Sequence, residues 1–558
     1  MPGVGTLVMG GTNMDRGKKS SAVGIMMASF AAFGASFIFI LFGFDTGVIS
    51  GVKEMNAWLK TFGYETSPGS GQYTISTQTE ALVVSILSAG TFVGALLGAP
   101  MADLLGRKNG ILLACIVFAA GIILQASVVS VDLFIVGRLV AGLGVGMVSC
   151  LVPMYQAESS PKWIRGAVVA GYQWAIVTKD RTDMSAFRIP ILIQLAWTFV
   201  LFVGMYFLPE SPRYLVKRRR DLDAMYSLAR LFNVSEQHPD VRFELEEIKT
   251  SLQLEEEQGG GTYADCFRMS NNKALLRTLS GIGIQAFQQL TGINFIFYYG
   301  TTFFKNSGIA DPFLIAVVTN CVNVGMTIPA FWAIDNVGRR RLLIIGALGM
   351  MVCEYLIGII GVIISVDNHT GQSVLVALTC VYIAFFACTW GPVPWVVPSE
   401  IFPLAIRAKG VSLSTASNWA LNFGIGYAVP YMVNKGYGDL GPRVFFIWGS
   451  TCLGCAVFTY FCIMETKGLS LEQIDALYHY VNPIHSLSYH DQLIAHTIRS
   501  ADDEALSRGD PVSATSANTA RDRRYRLGPF GGDSELHYIG SKEWHRRSDQ
   551  TQASRWKL

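Results

Sequence analysis

Apolar residues in this chain are gathered into long runs separated by short polar stretches. Most runs are as long as a helix that crosses a bilayer, which needs about 20 residues. The runs do not alternate apolar with polar positions as the strands of a membrane β-barrel do, so the pattern predicts helices. The runs lie at residues 25–50, 81–102, 110–128, 131–154, 190–208, 277–303, 312–334, 342–365, 374–398, 411–433 and 443–463.

Two charged motifs each occur twice, directly after apolar runs. The first has Asp, then Gly and two basic residues, at Asp103–Lys108 and Asp335–Arg340. The second has Glu, Pro three residues on and Arg seven residues on, at Glu158–Arg165 and Glu400–Arg407. The copies are separated by about 240 residues, the length that six spans and their connections need. We therefore predict two similar six-helix halves.

The repeated charges can form ion pairs or cap helix ends at one membrane face. Such pairs can stabilise one conformation and break in another, so we predict a role in gating. The alternative is that the basic residues only set the topology, but that does not explain the fixed Asp and Gly positions. The gating candidates are Asp103, Arg107, Glu158, Arg165, Asp335, Arg339, Glu400 and Arg407.

Composition supports a membrane protein, because 51% of the 558 residues are hydrophobic and 15% are charged. A formal net charge of +3, spread in clusters beside the spans, does not indicate a nucleic-acid partner. The ten cysteines lack the spacing of a metal site. The sequence has neither a Gly-rich phosphate loop nor a His–Glu metal pattern, so we expect no cofactor and no enzymatic activity.

Basic clusters fix the expected topology, since Lys and Arg favour the cytoplasmic side. Both termini are then cytoplasmic. The linker is charged, with apolar residues at helical spacing around 222–233 and 243–254, and the segment after Glu472 has no periodic apolar run. The predicted segments are a tail (1–24), an N-terminal half (25–208), a linker of short amphipathic helices (209–275), a C-terminal half (276–464) and a mostly disordered tail (465–558).

Polar residues inside the spans are the candidates for ligand binding, because they are costly in a bilayer unless they face a cavity or a partner. Gln285, Gln288 and Gln289 share one helix face, and Asn294, Tyr298 and Tyr299 follow. Amides with aromatic rings suit a neutral polyhydroxylated ligand. The alternative is hydrogen bonding between helices. Further candidates are Gln173, Asn323, Trp390, Trp395, Asn418, Trp419 and Asn422.

Glycine and prolines at Trp390–Trp395 predict a break in the tenth span, with free carbonyls that need partners. We expect this break to act as a hinge that opens a cytoplasmic gate.

The combined motifs resemble those of the sugar porter family of the major facilitator superfamily, and the sequence overall is most similar to fungal hexose (monosaccharide) transporters. The match runs from about residue 25 to about residue 475. The motifs are Phe44–Gly51, Gly137–Arg138, Pro161–Gly166, Pro209–Arg213, Gln288–Asn294 with Tyr298–Tyr299, Asp335–Arg340 and Glu465–Gly468.

This resemblance implies an all-α major facilitator fold and transport of monosaccharides such as glucose and other hexoses by alternating access. It implies a plasma-membrane protein that works as a monomer in the lipid bilayer. It also implies proton symport through Asp45 and Arg138, although an uncoupled facilitator carries the same aspartate and a transporter-like glucose sensor keeps the same site. The implied sugar-binding residues are Gln173, Gln288, Gln289, Asn294, Asn323, Trp395 and Asn422.

The fifth span departs from the family pattern. Between Arg165 and Lys179 only Gly166–Thr178 is available, and thirteen helical residues reach about 20 Å against about 30 Å of hydrocarbon. Either charged residues are pulled toward the membrane, or local thinning of the bilayer accommodates a truncated span, or a segment has been lost through a missing exon or a mispredicted splice site. We favour the third explanation and expect the chain as given to fold or transport poorly.

Overall fold

The computed structural model describes about seven tenths of the chain. The described residues are 49, 52, 55–65, 71–159, 185–232, 234–257, 262–269, 273–306, 312–364, 368–403, 406–434, 436–469, 471–487 and 489–490. Nearly all of the first predicted span and the whole of the short fifth span lie outside them, and so do Asp45, Arg165 and Gln173.

The N-terminal half is built from long helices preceded by a small hairpin. It starts with helix α1 (Asn56–Phe62) and two antiparallel strands, β1 (Tyr64–Glu65) and β2 (Tyr73–Thr74). The Ser76 hydroxyl then accepts a hydrogen bond from Thr79 N at 3.1 Å and caps the next helix. The long helices are α2 (Thr77–Leu105), α3 (Arg107–Ser127), α4 (Val131–Ser159) and α5 (Ser185–Phe207).

The linker contains the amphipathic helices that its sequence predicts. They are α6 (Pro212–Lys217), α7 (Asp221–Phe232) and α8 (Pro239–Glu257), followed by a 3₁₀ turn at Ala264–Phe267. Their apolar faces pack on each other through Ala224, Leu228, Val241 and Leu245. The periodic spacing of these residues therefore produces a small helical layer with its own core.

The C-terminal half contains two spans that are interrupted. Its helices are α9 (Ala274–Leu290), α10 (Ile293–Asn306), α11 (Pro312–Val337), α12 (Arg339–Ile363), α13 (His369–Cys388), α14 (Val393–Ile401), α15 (Arg407–Val433) and α16 (Val444–Cys462). The break between α13 and α14, at residues 389–392, confirms the prediction from Trp390–Trp395. The break between α9 and α10, at Thr291 and Gly292, was not predicted.

The segment that follows the last span corrects an expectation. Helix α17 (Leu471–Tyr480) forms where the sequence analysis expects no periodic apolar run. Its Ile474, Leu477 and Tyr478 are buried, and Asp475 forms an ion pair of 2.5 Å with Arg277 of α9. The pattern is short and mixed with charged residues, which is why the run was missed, and burial against the C-terminal half stabilises the helix.

Within the described ranges, seven helical segments are long and apolar enough to cross a membrane. They are 77–105, 107–127, 131–152, 315–334, 339–363, 370–401 and 441–462. One end of the bundle carries Arg107, Arg339 and Lys409, and we call it the basic end.

Helix α2 lies between α4 of its own half and α15 of the other half. Its contact with α4 depends on glycine: a Cβ at Gly90 would lie 2.2 Å from Leu139 O, and one at Gly142 would lie 2.0 Å from Leu87 O. Small residues therefore let the two backbones touch, as is common between membrane helices. On its other side α2 meets α15 from Thr77, which accepts from Asn434 at 3.4 Å, to Asp103, which pairs with Lys409 at 3.2 Å.

Candidate functional site

Six buried side-chain amides form a continuous hydrogen-bonded group, which we call the amide cluster. They come from α9, α10 and α15, where helical spacing brings them to facing surfaces. All six are at most 7% exposed. The members are Gln285, Gln288, Gln289, Asn294, Asn418 and Asn422.

Within the amide cluster the side-chain amides form hydrogen bonds with one another. Asn418 Nδ2 donates to Gln285 Oε1 at 2.6 Å and to Gln288 Oε1 at 2.7 Å. Gln289 Nε2 donates to Asn418 Oδ1 at 2.8 Å, while Gln289 Oε1 accepts from Asn422 Nδ2 at 3.0 Å and from Asn294 Nδ2. Asn418 therefore stands at the centre of the cluster.

The amide cluster reaches the N-terminal half through Asn422. Ser88 of α2 donates to Asn422 Oδ1 at 2.6 Å, and the Tyr298 hydroxyl donates to the same oxygen at 2.9 Å. One helical turn further along α15, Tyr299 donates to Gly426 O at 2.7 Å. The polar residues predicted for the seventh and eleventh spans thus meet where the two halves touch.

The amide cluster also forms hydrogen bonds with the backbone carbonyls at the break in the tenth span. Gln288 Nε2 donates to Trp390 O at 2.8 Å and to Gly391 O at 2.9 Å, and Gln285 Nε2 donates to Pro394 O at 2.8 Å. These carbonyls lack helical partners because the helix is interrupted there. The amide cluster is therefore coupled to the hinge region, and a change in one changes the hydrogen bonding of the other.

The chemistry of the amide cluster is that of a site for hydroxyl groups. Each amide offers a donor and an acceptor, and the tyrosine hydroxyls add further polar groups. A ligand bound here would replace bonds between amides with bonds of similar kind, so neither state leaves buried polar groups without partners.

The other predicted binding residues lie in different surroundings. Asn323 of α11 is buried, and its Oδ1 has no hydrogen-bond partner among the described residues. Trp395 of α14 is half-buried, whereas Trp390 is fully buried and donates to Leu343 O at 2.8 Å. Arg138 of α4 is fully buried, and its predicted partner Asp45 lies outside the described residues.

The two repeated Asp-Gly-Arg turns at the basic end have the same geometry. We call Gly106 with the start of α3 the first joint, and Gly338 with the start of α12 the second joint. Gly106 has φ +90° and Gly338 has φ +96°, values that favour glycine.

In each joint a glutamate caps the new helix. In the first joint Glu210 Oε1 accepts from Arg107 N at 2.9 Å and from Lys108 N at 3.0 Å. In the second, Glu465 accepts from Arg339 N at 2.9 Å and from Arg340 N at 3.2 Å.

Glu210 and Glu465 enter the sequence analysis only as parts of family motifs, and their role in capping helices is not predicted there. A helix that begins directly after a glycine has free N–H groups, and this is the signal that could have found the acceptors.

Among the described residues the gating candidates form two kinds of ion pair, one within a half and one between the halves. Arg339 pairs with Glu400 at 2.9 Å, and Thr466 donates to the other Glu400 oxygen at 2.6 Å. Asp103 pairs with Lys217 at 3.0 Å and with Lys409, on α15, at 3.2 Å. Lys409 was not among the candidates. Arg407 donates to Phe402 O at 3.1 Å, while Arg165 and the side chains of Glu158 and Asp335 lie outside the described part.

Comparison with known proteins matches this architecture. Residues 31–478 fit the family model described as sugar (and other) transporter. The chain is 45% identical to the major facilitator-type transporter ecdD of Aspergillus rugulosus, over 81% of this chain and 87% of that protein. It is 43% identical to the probable glucose transporter rco-3 of Neurospora crassa, over 85% and 82% of the two chains.

A solved structure with the same fold is that of the proton:xylose symporter XylE bound to 6-bromo-6-deoxy-D-glucose. The two chains are 26% identical, the TM-score is 0.67, and the match covers 81% of this chain and 99% of XylE. The predicted all-α membrane fold of the major facilitator type is thereby confirmed, as is the predicted resemblance. The chain belongs to the sugar transporter family of the major facilitator superfamily, a family of transporters and not of enzymes.

Proposed function

We propose that this protein carries monosaccharides, hexoses such as glucose among them, across the plasma membrane by alternating access. The observation that carries the proposal is the amide cluster, buried where α2 of one half meets α15 of the other. A ligand held between two halves that separate in turn at each face is released on alternate sides. A single chain contributes both halves, so we propose that it works as a monomer in the bilayer.

Relatives support the class of substrate. The chain is 43% identical to rco-3, named a probable glucose transporter, and 34% identical to ght6 of Schizosaccharomyces pombe, named a high-affinity fructose transporter. Gln288, Gln289, Asn294 and Asn422 would bind the sugar hydroxyls, with Gln173, Asn323 and Trp395 completing the site.

In this proposal the basic end faces the cytoplasm, because Lys and Arg are retained on that side. Both termini are then cytoplasmic, and the two joints form the inner gate. The ion pair between Asp103 and Lys409 joins the two halves there, so it must break when the protein opens inward.

Uptake of radiolabelled glucose by yeast that lacks hexose transporters tests the function. Asn422→Ala removes an amide that bonds Gln289, Ser88 and Tyr298, and we expect about tenfold less uptake, the equivalent of about 1.4 kcal/mol. Gln125→Ala is the matched control, since Gln125 is also buried but donates within its own helix to Gly121 O at 3.4 Å. Equal uptake by both variants would contradict the proposed site.

The short fifth span requires a second form of the protein in the same assay. We propose that the given chain transports poorly and that a form with a full-length fifth span transports well. Equal uptake by the two forms would overturn this explanation of residues 166–178.

Proton coupling is proposed through Asp45 and Arg138. A carboxylate in a membrane helix that faces a buried arginine loosens its ion pair when it is protonated. Sugar-induced alkalinisation of the medium, lost in Asp45→Asn, is the expected result. Unchanged proton flux in that variant would favour an uncoupled facilitator.

A glucose sensor is the second candidate, because the chain is 39% identical to the high glucose sensor RGT2 of Saccharomyces cerevisiae and spans 61% of its length. Protein at the cell surface without uptake in either form would favour the sensor.

A further inference from the structure

A buried carboxylic acid in the C-terminal half has no part in the site described above. Glu354 lies on α12, nine residues before its end at Ile363, which places it about 13 Å from the end of the helix opposite to the basic end. It is 1% exposed. Its Oε2 has no hydrogen-bond partner among the described residues, and no basic side chain in those ranges forms an ion pair with it.

Glu354 lies beside the break between α9 and α10. A Cβ added to Gly292 would lie 3.0 Å from Glu354 Oε1 and 2.6 Å from Trp448 Cγ of α16. Gly292 has φ +82°, so both its conformation and its surroundings favour glycine. The break in the seventh span is thus packed directly between Glu354 and Trp448.

The polar groups that face Glu354 are neutral ones. Tyr382 of α13 and Cys452 of α16 are its polar neighbours from the packed helices. Both also contact the break, because the Tyr382 hydroxyl donates to Thr291 O at 2.7 Å and Cys452 Sγ lies 3.9 Å from the same oxygen. Neither a phenol nor a thiol carries a positive charge that would offset the burial of a carboxylate, so the surroundings favour the uncharged acid.

An ionised carboxylate buried without a cation is far more costly than the neutral acid. Glu354 is therefore expected to hold its proton while Gly292 is packed against it. If α10 moved away from α12 and α16, water would reach the carboxyl group, and ionisation would become favourable.

We propose that Glu354 is a proton-binding site that is occupied while the break in the seventh span is packed and is emptied when α10 moves away. On packing, one proton passes from water to a carboxylate oxygen, and on opening it returns to water. Because packing takes up one proton, each unit of pH decrease favours the packed arrangement by up to tenfold, once the open form is ionised. The inference rests on the proposed transport function for its role and is separate from Asp45 and Arg138.

Infrared spectroscopy of the purified full chain tests the proton site without any need for transport. We expect the carbonyl stretch of a protonated carboxylic acid to persist at about pH 8, where exposed carboxyl groups are ionised, and to lose intensity in Glu354→Gln. Glu246→Gln is the matched control, since Glu246 lies on α8 with an exposed side chain. Absence of this band from the wild-type protein, or an unchanged intensity in Glu354→Gln, would overturn the proposal.

The variant Tyr382→Phe and the pH dependence of uptake test the proposal in two further ways. Tyr382→Phe should shift the frequency of the same band, which supplies the test if Glu354→Gln does not fold; an unshifted band there would count against Glu354 as its source. In the form with a full-length fifth span, uptake should fall as pH rises from about 5 to about 8, and it should fall less steeply when Glu354→Gln is introduced; identical profiles would refute the coupling to α10. A band without uptake of any sugar by that form would instead refute the proposed function and leave the proton site standing.

Discussion

The two joints at the basic end share a turn but differ in what their charges hold together. Each has a glycine with positive φ, a glutamate that caps the next helix, and an arginine that donates back to a carbonyl five residues earlier: Arg107 to Ala102 O and Arg339 to Ile334 O, both at 3.1 Å. In the second joint the described residues form a partly buried ion pair inside one half, between Arg339 and Glu400. In the first joint Asp103, 31% exposed, pairs with Lys409 of the other half.

The location of an ion pair, within one half or between the halves, indicates whether it stabilises the fold or takes part in gating. An ion pair that lies within one half need not change when the halves move, so the bond between Arg339 and Glu400 is expected to stabilise the fold. A pair that joins the halves near water contributes less than about 1 kcal/mol and breaks easily. The sequence repeat makes the two joints look equivalent, but among the ion pairs of the described residues only that of Asp103 with Lys409 joins the two halves, so it has the position and the strength of a switch.

Loss of the ion pair in the second joint should have the largest effect. In Arg339→Ala, Glu400 keeps Thr466 but loses its cation, and we expect a loss of about 3 kcal/mol in stability, seen as a lower melting temperature in detergent. Arg341→Ala is the control, since Arg341 is exposed on the same turn. Asp103→Ala should cost less than about 1 kcal/mol. Equal losses for Arg339→Ala and Asp103→Ala would remove the distinction between the joints.

Substitution of the joint glycine should have the next largest effect. In Gly338→Ala the new Cβ would lie 2.6 Å from Glu465 Oε2 and displace the cap, so we expect a loss of about 2 kcal/mol in the same assay. Gly436→Ala is matched in backbone conformation, with φ +93° against φ +96°, but its Cβ would meet nothing within 4 Å. It should cost about 1 kcal/mol. Equal losses would mean that the cap contributes nothing beyond backbone strain.

The sequence predicted most of the fold because membrane spans and repeated motifs are long signals. The runs, the linker helices and the break near Trp390 are set by composition and by proline. The structure has helices in the runs that it describes, has the linker helices and has the break near Trp390, while nearly all of run 25–50 lies outside the described residues. The break at Gly292 was missed because a single glycine in an apolar run is ambiguous until Trp448 and Glu354 pack against it. Helix α17 was missed because only burial stabilises so short an amphipathic segment.

The candidate site was predictable as a set of residues but not as a network. Helical spacing placed Gln285, Gln288 and Gln289 on one face, yet nothing in the sequence assigns Asn418 to its centre. The pairing of Asp103 with Lys409 joins positions about 300 residues apart. Contacts of this kind depend on how the halves dock, and a local pattern does not carry that information.

Removal of the Lys409 side chain tests the switch directly, and we expect a smaller effect than those of Arg339→Ala and Gly338→Ala. Cys150 of α4 is buried facing Gly98 of α2 and Ser412 of α15, so separation of the halves at the basic end would expose it. In Lys409→Ala we expect the alkylation rate of Cys150, followed by mass spectrometry, to rise by up to about fivefold, the equivalent of about 1 kcal/mol. Lys217→Ala removes the other partner of Asp103, which lies on α6 of the linker and not in the C-terminal half. It should leave the rate unchanged, and a similar rise in both variants would refute the switch.

The smallest effect is expected for a linker residue that contacts both halves. The Tyr263 hydroxyl lies 3.2 Å from Leu96 O of α2 and 3.2 Å from Ser412 Oγ of α15, and burial raises its pKa, so it remains a donor at neutral pH. Tyr263→Phe removes a hydrogen bond worth about 0.5 kcal/mol and should raise Cys150 alkylation about twofold. Tyr226→Phe, on the exposed face of α7, should not. A larger rise in the alkylation rate of Cys150 for Tyr263→Phe than for Lys409→Ala would mean that the linker holds the basic end closed more strongly than the ion pair. The comparison of the two joints must then include the linker as a third contact between the halves.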